Sequence, residues 1–401
     1  MPVIEVTKSL HTELQSARAE SDGLFSILKP QALYERPIAE RHRVVFYIGH
    51  LDGFDSIQIC REGLGLPSFD PQLDALFQAG IDPDSAHLPS DTPADWPSLE
   101  EIRKYVIRCR EQVDKHLEDA PEDTVAMAVE HRLMHLETLA YMFHNFDHAL
   151  KHDTGNQPFN RTATPSPENC FIEIPGGEAV LGKPRDGTFG WDNEYVETRV
   201  KVPAFRVQKY SVSNGEYLRF VQDGAKRPHF WTDDFRYRGM LEEIPLPLNW
   251  PVYVTQSEAA AYARWAGKSL LTEEQFHRAA YADDDLYPWG NAAPTAQHGN
   301  FDFRRWDPEP VDTSPAGASR AGVHQLVGNG WQWTSTVFGP LPGFEPRPTY
   351  PGYSANFFDG QHFVMKGGSP RTAARLLRRS FRNWFRADYP YMYATFRLVE
   401  N

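Results

Sequence analysis

The spacing of apolar positions predicts a helical first part of the chain. Residues 13–28 contain no proline and one glycine, and residues 41–62 mix apolar and polar side chains at helical spacing, so both stretches predict helices. Ser98 begins a third predicted helix, because Glu101 completes a capping-box pattern with it and an apolar stripe follows. A fourth helix is predicted over residues 124–152. Four helices with one long connection favour a helical bundle.

The second part of the chain has a different pattern. Residues 153–170 are polar and contain several prolines, which places a domain boundary there and predicts domains over 1–155 and 156–401. Glycine, proline, tryptophan and asparagine are frequent in the second domain, which predicts short strands and long loops. Residues 257–282 predict a helix–turn–helix with Gly267 at its turn. The expected fold class is therefore α+β.

Composition narrows the range of partners and metal sites. The formal net charge of −13 argues against nucleic acid or an anionic membrane as the main partner. The chain has no apolar run of membrane-spanning length and no apolar secretion signal at its N-terminus, so a cytoplasmic location is expected. Three cysteines, Cys60, Cys109 and Cys170, exclude a disulfide framework and a zinc site of several cysteines. Fifteen histidines point any metal site toward imidazole ligands.

A histidine pair in the fourth predicted helix is the strongest chemical signal. His131 and His135 are four residues apart, so both imidazoles project from one face of the helix, as paired metal ligands do. His50, on an earlier predicted helix, is the best candidate for a third ligand, and Glu137 could accept a hydrogen bond that fixes one imidazole tautomer. The alternative is that such a pair is only solvated or caps a helix, because the same spacing recurs at His144, His148 and His152.

Eight short motifs occur in order through the second domain, namely Phe171–Gly177, Trp191–Glu194, Val212–Tyr217, Pro251–Gly267, Leu271–Phe276, Val327–Thr334, Lys366–Ser369 and Phe396–Leu398. With these motifs the domain resembles the sulfatase-modifying-factor family, which includes formylglycine-generating enzymes and whose fold is related to C-type lectins. The first domain resembles a DinB-type four-helix bundle. The pairing of the two resembles the ergothioneine-synthase-like family of sulfoxide synthases, which are mononuclear non-haem iron enzymes.

The resemblance implies a metal and a reaction. It implies that Fe(II) is held by His131 and His135 of an H-x-x-x-H-x-E helix and by His50 upstream. It also implies an O2-dependent oxidoreductase that joins a chalcogen atom to an imidazole carbon of hercynine, the trimethylated betaine of histidine. Formylglycine-generating enzymes need a cysteine pair near the C-terminus. No cysteine follows Cys170, so that activity is not expected.

The same resemblance implies a set of substrate-binding residues. Asn383 and Trp384 are similar to a motif that contacts hercynine in the family, and Phe385 and Met134 occupy neighbouring substrate positions. Aromatic faces bind a trimethylammonium group well. Tyr353 occupies a place similar to that of a tyrosine that assists proton transfer near the iron. The alternatives are that most of these aromatic rings fill an irregular core and that Tyr353 packs in its loop.

Departures from the family pattern bear on the chalcogen donor. Met134 stands where relatives that use gamma-glutamylcysteine often have Gln, and Phe385 stands where they often have Asp. Residues 80–91 contain no Arg or Lys, so this acidic loop would repel a dianionic donor. A neutral selenosugar or thiosugar donor is therefore expected, as in selenoneine synthases. Ergothioneine synthesis from gamma-glutamylcysteine or cysteine is the alternative, with basic groups supplied elsewhere, for example by Arg371, Arg378 or Arg379.

Two further functions remain open from the sequence. One is a non-catalytic ligand-binding protein on the lectin-like fold, which predicts that His50, His131 and His135 do not converge. The other is a zinc-dependent hydrolase or thiol transferase built on the DinB-type bundle.

Overall fold

The structure, a computed structural model, describes residues 3–78, 88–152, 164–282 and 285–400. The chain forms two compact units, Met1–Gly155 and Asn156–Asn401. The described part of the first is helical and the second contains the sheets, which confirms the predicted α+β class. None of the described helices is long and apolar enough to cross a membrane.

The described part of the helical unit contains five α-helices and one π-helix that continues the second of them. Their bounds are α1 Val3–Ser26, α2 Val44–Asp55, the π-helix Ser56–Gly63, α3 Pro71–Phe77, α4 Leu99–His116 and α5 Glu122–His144. Short 3₁₀ turns lie at Pro30–Ala32, Pro93–Asp95, Leu117–Asp119 and His148–Leu150. Helix α1 packs on α5, and α2 packs on α4.

The sequence predicted some of these helix ends correctly and others wrongly. The Ser98–Glu101 capping box is present, because each side chain bonds the other's backbone amide. The last helix ends at His144 rather than at residue 152, since Asp147 caps a separate 3₁₀ turn. Helix α3 was not predicted, because it is only seven residues long and begins at a proline.

Within its described residues, the sheet-containing unit has twelve short strands, the longest of seven residues. They are β1 Phe171–Ile174, β2 Gly177–Leu181, β3 Thr198–Val202, β4 Phe205–Gln208, β5 Arg236–Arg238, β6 Glu243–Pro245, β7 Ser269–Leu270, β8 Trp331–Val337, β9 His362–Lys366, β10 Asn383–Arg386, β11 Ala394–Thr395 and β12 Leu398–Glu400. One sheet has the order β1-β4-β12-β7 and a second has the order β10-β9-β8-β11. Two hairpins, β2–β3 and β5–β6, complete the described strands.

Three helices lie beside these sheets: α6 Asn214–Gln222, α7 Gln256–Trp265 and α8 Glu273–Ala280. Each begins with a capping box, and Gly267 after α7 adopts φ +66°, which confirms the predicted turn. Short 3₁₀ turns lie at Asp192–Glu194, Pro315–Gly317, Ala355–Phe357 and Ala374–Leu376. A buried apolar core joins β1, β2, β4 and β12 to α8. The second sheet carries Asn383–Arg386 as its edge strand.

Candidate metal centre and substrate-binding segment

Helices α2 and α5 bring three buried imidazoles together. His50 lies on α2, and His131 and His135 lie one turn apart on α5. The Nε2 atom of His135 is 3.2 Å from Nε2 of His50 and 3.1 Å from Nε2 of His131. Among the described residues, this is the one group of three or more metal-ligating side chains whose donor atoms all lie within 4.8 Å of one another.

Aromatic rings and one backbone carbonyl fix the orientation of these imidazoles. The Nδ1 atom of His50 lies 2.6 Å from the carbonyl oxygen of Phe77. This contact requires Nδ1–H to donate, so Nε2 of His50 keeps its lone pair. The ring of Phe54 stacks on His131 with centroids 3.4 Å apart, and Phe46 stacks on His50 at 4.9 Å.

Burial keeps the three imidazoles uncharged at neutral pH. Burial lowers the pKa of His50 to about 4, although the Phe77 carbonyl acts in the opposite direction. Burial lowers the pKa values of His131 and His135 well below 6.5, and the neighbouring imidazoles lower them further. The ligands therefore need lose no proton before they bind a metal ion, whereas buried thiols would.

The spacing of the nitrogens fits one transition-metal ion. Two imidazole nitrogens bound at right angles at about 2.1 Å from one ion lie about 3.0 Å apart, close to the distances of 3.1 and 3.2 Å between these Nε2 atoms. Two nitrogen lone pairs facing each other at this distance repel unless a cation or proton lies between them. The low pKa values disfavour an added proton, and the one N–H of a neutral His135 could point at only one of its two neighbours, so a cation fits the donor set better.

A buried ion cluster holds the two ligand-bearing helices together. Arg132, next to His131 on α5, donates to Asp52 Oδ1 at 2.7 Å and Asp55 Oδ2 at 2.6 Å, both on α2. The Arg132 side chain is fully buried, and the two carboxylates are no more than 3% exposed. Arg110 of α4 adds a hydrogen bond to Asp52 at 3.0 Å. Because the cluster begins one residue from His131 and two from His50, it sets the register of the ligands.

The two buried carboxylates of this cluster differ in the direction of their pKa shifts. Burial alone would raise the pKa of Asp52, but the charges of Arg132 and Arg110 outweigh it and lower the pKa of this carboxyl. Burial raises the pKa of Asp55 despite its bond to Arg132. Among the charges near these two carboxylates, that of Arg132 is therefore the one that most favours their ionised forms.

Two other predicted residues lie on the same helix. Glu137 is buried on α5, and Met134 is half-buried beside His135. The role of Glu137 as the acceptor that fixes a tautomer stays a prediction. For His50 that acceptor is the carbonyl oxygen of Phe77, which the sequence did not reveal because a backbone carbonyl carries no residue-type signal. The other histidines with the same spacing are separate, since α5 ends at His144.

The structure joins Tyr353 and Trp384 in one aromatic cluster of the sheet-containing unit. Tyr353 stacks on Trp191 with ring centroids 3.9 Å apart and meets Trp384 edge-on at 5.3 Å. Trp384 in turn stacks on Phe338 at 4.3 Å with the rings 5° from parallel. Two residues predicted from motifs 31 positions apart in the sequence are therefore in contact. Trp191 was not predicted as a site residue, although its motif was among those that carried the resemblance.

Buried charges hold the segment that carries Asn383 and Trp384. The side chain of Asn383 accepts a hydrogen bond from the Trp384 amide at 2.9 Å. Arg382, just before them, forms a two-pronged bond to Glu273 at 2.9 and 3.0 Å. The fully buried Lys366 of the final Gly-Gly-Ser motif donates to the carbonyl oxygen of Phe381 at 2.5 Å. These hydrogen bonds hold the edge strand β10 in position in the absence of substrate.

The remaining predicted positions are occupied as follows. Phe385 stacks on Tyr389 with centroids 5.0 Å apart. Arg378 pairs with the buried Glu194, and Arg371 lies 3.9 Å from the centroid of the Trp306 ring. Both arginine side chains are therefore engaged in contacts within the protein.

The acidic loop over 80–91 lies partly outside the described residues, which resume at residue 88. Asp91 at its end is bound by Arg36 and by Arg43, the latter at 3.0 Å. It also accepts a hydrogen bond from the Trp96 indole at 2.8 Å. The guanidinium groups and the indole lower the pKa of Asp91 despite its partial burial. The negative charge at this end of the loop is therefore compensated within the protein.

Family comparisons agree with both units. Residues 157–401 match the sulfatase-modifying factor enzyme 1-like domain, and residues 13–153 match the DinB superfamily. The hercynine oxygenase of Mycolicibacterium thermoresistibile is 35% identical over 80% of this chain and 78% of its own length. That of Mycolicibacterium smegmatis is 33% identical over 89% and 92%.

A longer fungal relative also matches most of the chain. Ergothioneine biosynthesis protein 1 of Neurospora crassa is 27% identical over 94% of this chain. The match covers 56% of the fungal protein, so this chain spans about half its length. The resemblance seen in the sequence is thereby confirmed: this chain belongs to the family of hercynine oxygenase and ergothioneine biosynthesis protein 1, with a DinB-type bundle followed by a sulfatase-modifying factor domain.

Proposed function

We propose that this chain is an iron(II)- and O2-dependent oxidoreductase that forms a carbon–chalcogen bond on the imidazole ring of hercynine. The observation that carries the proposal is the convergence of three buried, uncharged imidazoles at 3.1 and 3.2 Å. The names of the relatives that match most of the chain support hercynine as the substrate. Convergence of the histidines also argues against a purely ligand-binding protein.

In this proposal His50, His131 and His135 hold the iron. Iron(II), when bound, supplies the one-electron redox chemistry with dioxygen that no side chain can supply. The three imidazoles are neutral ligands, so they leave the positive charge of the ion uncompensated. The ion cluster around Arg132 keeps α2 and α5 in register, so that the nitrogens converge without rearrangement.

The aromatic cluster of the sheet-containing unit is proposed to bind hercynine. Its trimethylammonium group carries a permanent charge, and the faces of Trp384 and Tyr353 attract such a cation. The amide of Asn383 offers hydrogen bonds to the carboxylate or imidazole of the substrate. The hydroxyl of Tyr353 is the proposed proton donor during turnover. Met134 and Phe385 are proposed to contact substrate through apolar groups that carry no charge.

The proposal also concerns the chalcogen donor that reacts with hercynine. A neutral selenosugar, as in selenoneine synthesis, is favoured by the absence of Arg and Lys from residues 80–91. The alternative is ergothioneine synthesis from gamma-glutamylcysteine or cysteine, which is favoured by the names of the relatives. The peptide carries two carboxylates that the sugar lacks, so turnover with each donor in turn is a sensitive test.

The test is turnover of the full chain after anaerobic loading with iron(II). Hercynine and air are added with a selenosugar, gamma-glutamylcysteine or cysteine in separate reactions, and products are identified by mass spectrometry. We expect a hercynine adduct with the selenosugar and a much slower reaction with the peptide. An adduct with the peptide or cysteine alone would assign the alternative. No adduct with any donor would contradict the proposed function.

Two controls separate this proposal from zinc chemistry. His131→Ala removes a proposed ligand and should abolish product, whereas His152→Ala changes an exposed histidine of the same sequence spacing and should not. Zinc-loaded protein should be inactive, because zinc has no redox chemistry. Turnover with zinc would favour the hydrolase or transferase alternative.

A further inference from the structure

A cavity of about 870 Å³ lies within the sheet-containing unit and has no role in the proposed reaction. Its walls are the β2–β3 hairpin, the end of helix α8 and residues 378–380. The volume is in the range of roughly 300–1,000 Å³ that small-molecule sites occupy. Helix α8 and β2 share the buried apolar core of the unit, so these walls have a rigid support.

The charge of the lining is opposite to that of the protein. Among the described lining residues five side chains are cationic and two are anionic, in a chain whose formal net charge is −13. The cations are Lys183, Arg199, Arg278, Arg378 and Arg379, and the anions are Glu178 and Glu197. A positive concave surface raises the local concentration of anions.

Some of these cations are compensated by carboxylates. Arg378 pairs with the buried Glu194. Arg199 pairs with Glu197 at 3.3 Å on the exposed hairpin, and Lys183 approaches Asp186 at 3.4 Å. These groups shape the rim and the floor of the cavity, but their charges are already matched.

Arg278 has a different environment. Its guanidinium lies flat against Gly177, where an added Cβ would come within 2.7 Å of Nε. The buried Nε has no hydrogen-bond partner among the described residues. Arg278 is half-buried at the cavity, and no hydrogen bond or ion pair to a described residue occupies its terminal N–H groups, so an oxyanion can bind them. Gly177 makes room for the guanidinium at this position.

Arg379 also lines the cavity. It donates to the carbonyl oxygen atoms of Asp285 at 3.3 Å and Val180 at 3.5 Å. Its guanidinium also lies 5.2 Å from the centroid of the Tyr281 ring. Two guanidinium groups therefore line one cavity, and that of Arg278 can form the forked hydrogen bonds that carboxylates and phosphates accept.

We infer that this cavity binds a small anion with phosphate or carboxylate oxygens, which contacts Arg278 and lies close to Arg379. The inference is independent of the proposed iron chemistry, because every residue in it lies in the sheet-containing unit. It adds a second ligand site to the chain.

Isothermal titration calorimetry of the full chain tests whether this cavity binds anions. Inorganic pyrophosphate and citrate are titrated separately at constant ionic strength, since electrostatic binding is screened by salt. We expect saturable binding of at least one of them. Binding of pyrophosphate alone assigns a phosphate ligand, and binding of citrate alone assigns a carboxylate ligand.

Variants locate the binding. Arg278→Gln should weaken binding at least about tenfold, since a hydrogen bond to a charged group contributes about 1.5–3 kcal/mol. Arg278→Lys keeps the charge without the fork and should weaken binding less. The matched control, Arg199→Gln, changes an exposed arginine at the same cavity and should have less effect than either. Absence of saturable binding, or equal affinity in wild type and Arg278→Gln, would overturn the inference.

Discussion

Replacement of Arg132 by methionine should destabilise the helical unit and loosen the metal centre together. The change removes hydrogen bonds from Arg132 to Asp52 Oδ1 at 2.7 Å, Asp55 Oδ2 at 2.6 Å and Ser21 Oγ at 3.0 Å. It leaves two carboxylates in the interior with only partial compensation. Methionine fills a similar volume, so the main effect is loss of charge pairing rather than formation of a cavity.

The expected cost follows from the geometry. Removing one partner of a buried ion pair costs about 3–5 kcal/mol. Arg18 remains 3.8 Å from both carboxylates, and Arg110 remains 3.0 Å from Asp52. These cations retain part of the pairing, so we expect a loss of about 3 kcal/mol from the free energy of unfolding.

The assay is urea unfolding of the metal-free chain at pH 7, followed by the helical circular dichroism signal. Arg132→Met should also weaken Co(II) binding, because α2 and α5 lose their common anchor. Lys104→Met, which breaks an exposed pair with Glu100, should change stability by no more than about 1 kcal/mol. The double variant of Arg132→Met with Asp55→Asn should recover part of the loss. A loss below about 1 kcal/mol in Arg132→Met, with unchanged Co(II) affinity, would refute this reasoning.

Three further predictions concern other parts of the chain. Gly49→Ala places a Cβ within 2.6 Å of the Phe77 ring, so it should lower the free energy of unfolding by about 1–3 kcal/mol and weaken metal binding. Gly23→Ala is the control, because its added Cβ meets open space. Burial lowers the pKa of His277 well below 6.5, so the unfolded chain binds more protons than the folded chain and stability is lost as the pH falls below 6.5. Between pH 7.5 and 5.5, the His277→Gln variant should therefore lose about 1.4 kcal/mol less of its free energy of unfolding than the wild type. An equal loss in both would exclude His277 as a source of the pH dependence. Trp384→Leu should raise KM for hercynine roughly tenfold and leave competitive inhibition by imidazolepropionate, which lacks the cationic group, nearly unchanged. An equal loss of affinity for both would argue against the cation–π contact.

The sequence predicted the helical bundle and the histidine cluster because both depend on local patterns. His131 and His135 share a helix, so their spacing alone places them on one face. His50 was a candidate because it lies on an earlier predicted helix, and the family resemblance strengthened it, since nothing in the spacing relates it to α5. The capping box at Ser98 was visible because it is formed by residues three apart.

The rest depends on contacts between elements that are distant in the sequence. The carbonyl oxygen of Phe77 has no sequence signature, and Arg132 gains its role only from carboxylates about 80 residues earlier. The stacking of Trp191 on Tyr353 joins two loops of the second unit. The end of α5 at His144 was missed because apolar and polar residues continue the helical pattern past it.

Anaerobic titration of the metal-free full chain with iron(II) measures directly whether the three histidines form a metal site. We expect one tightly bound iron(II) per chain, at least about 100-fold weaker binding in His50→Ala and in His131→Ala, and unchanged binding in His152→Ala. Binding of no iron by the wild-type chain, or equal iron affinity in wild type and His131→Ala, would contradict it.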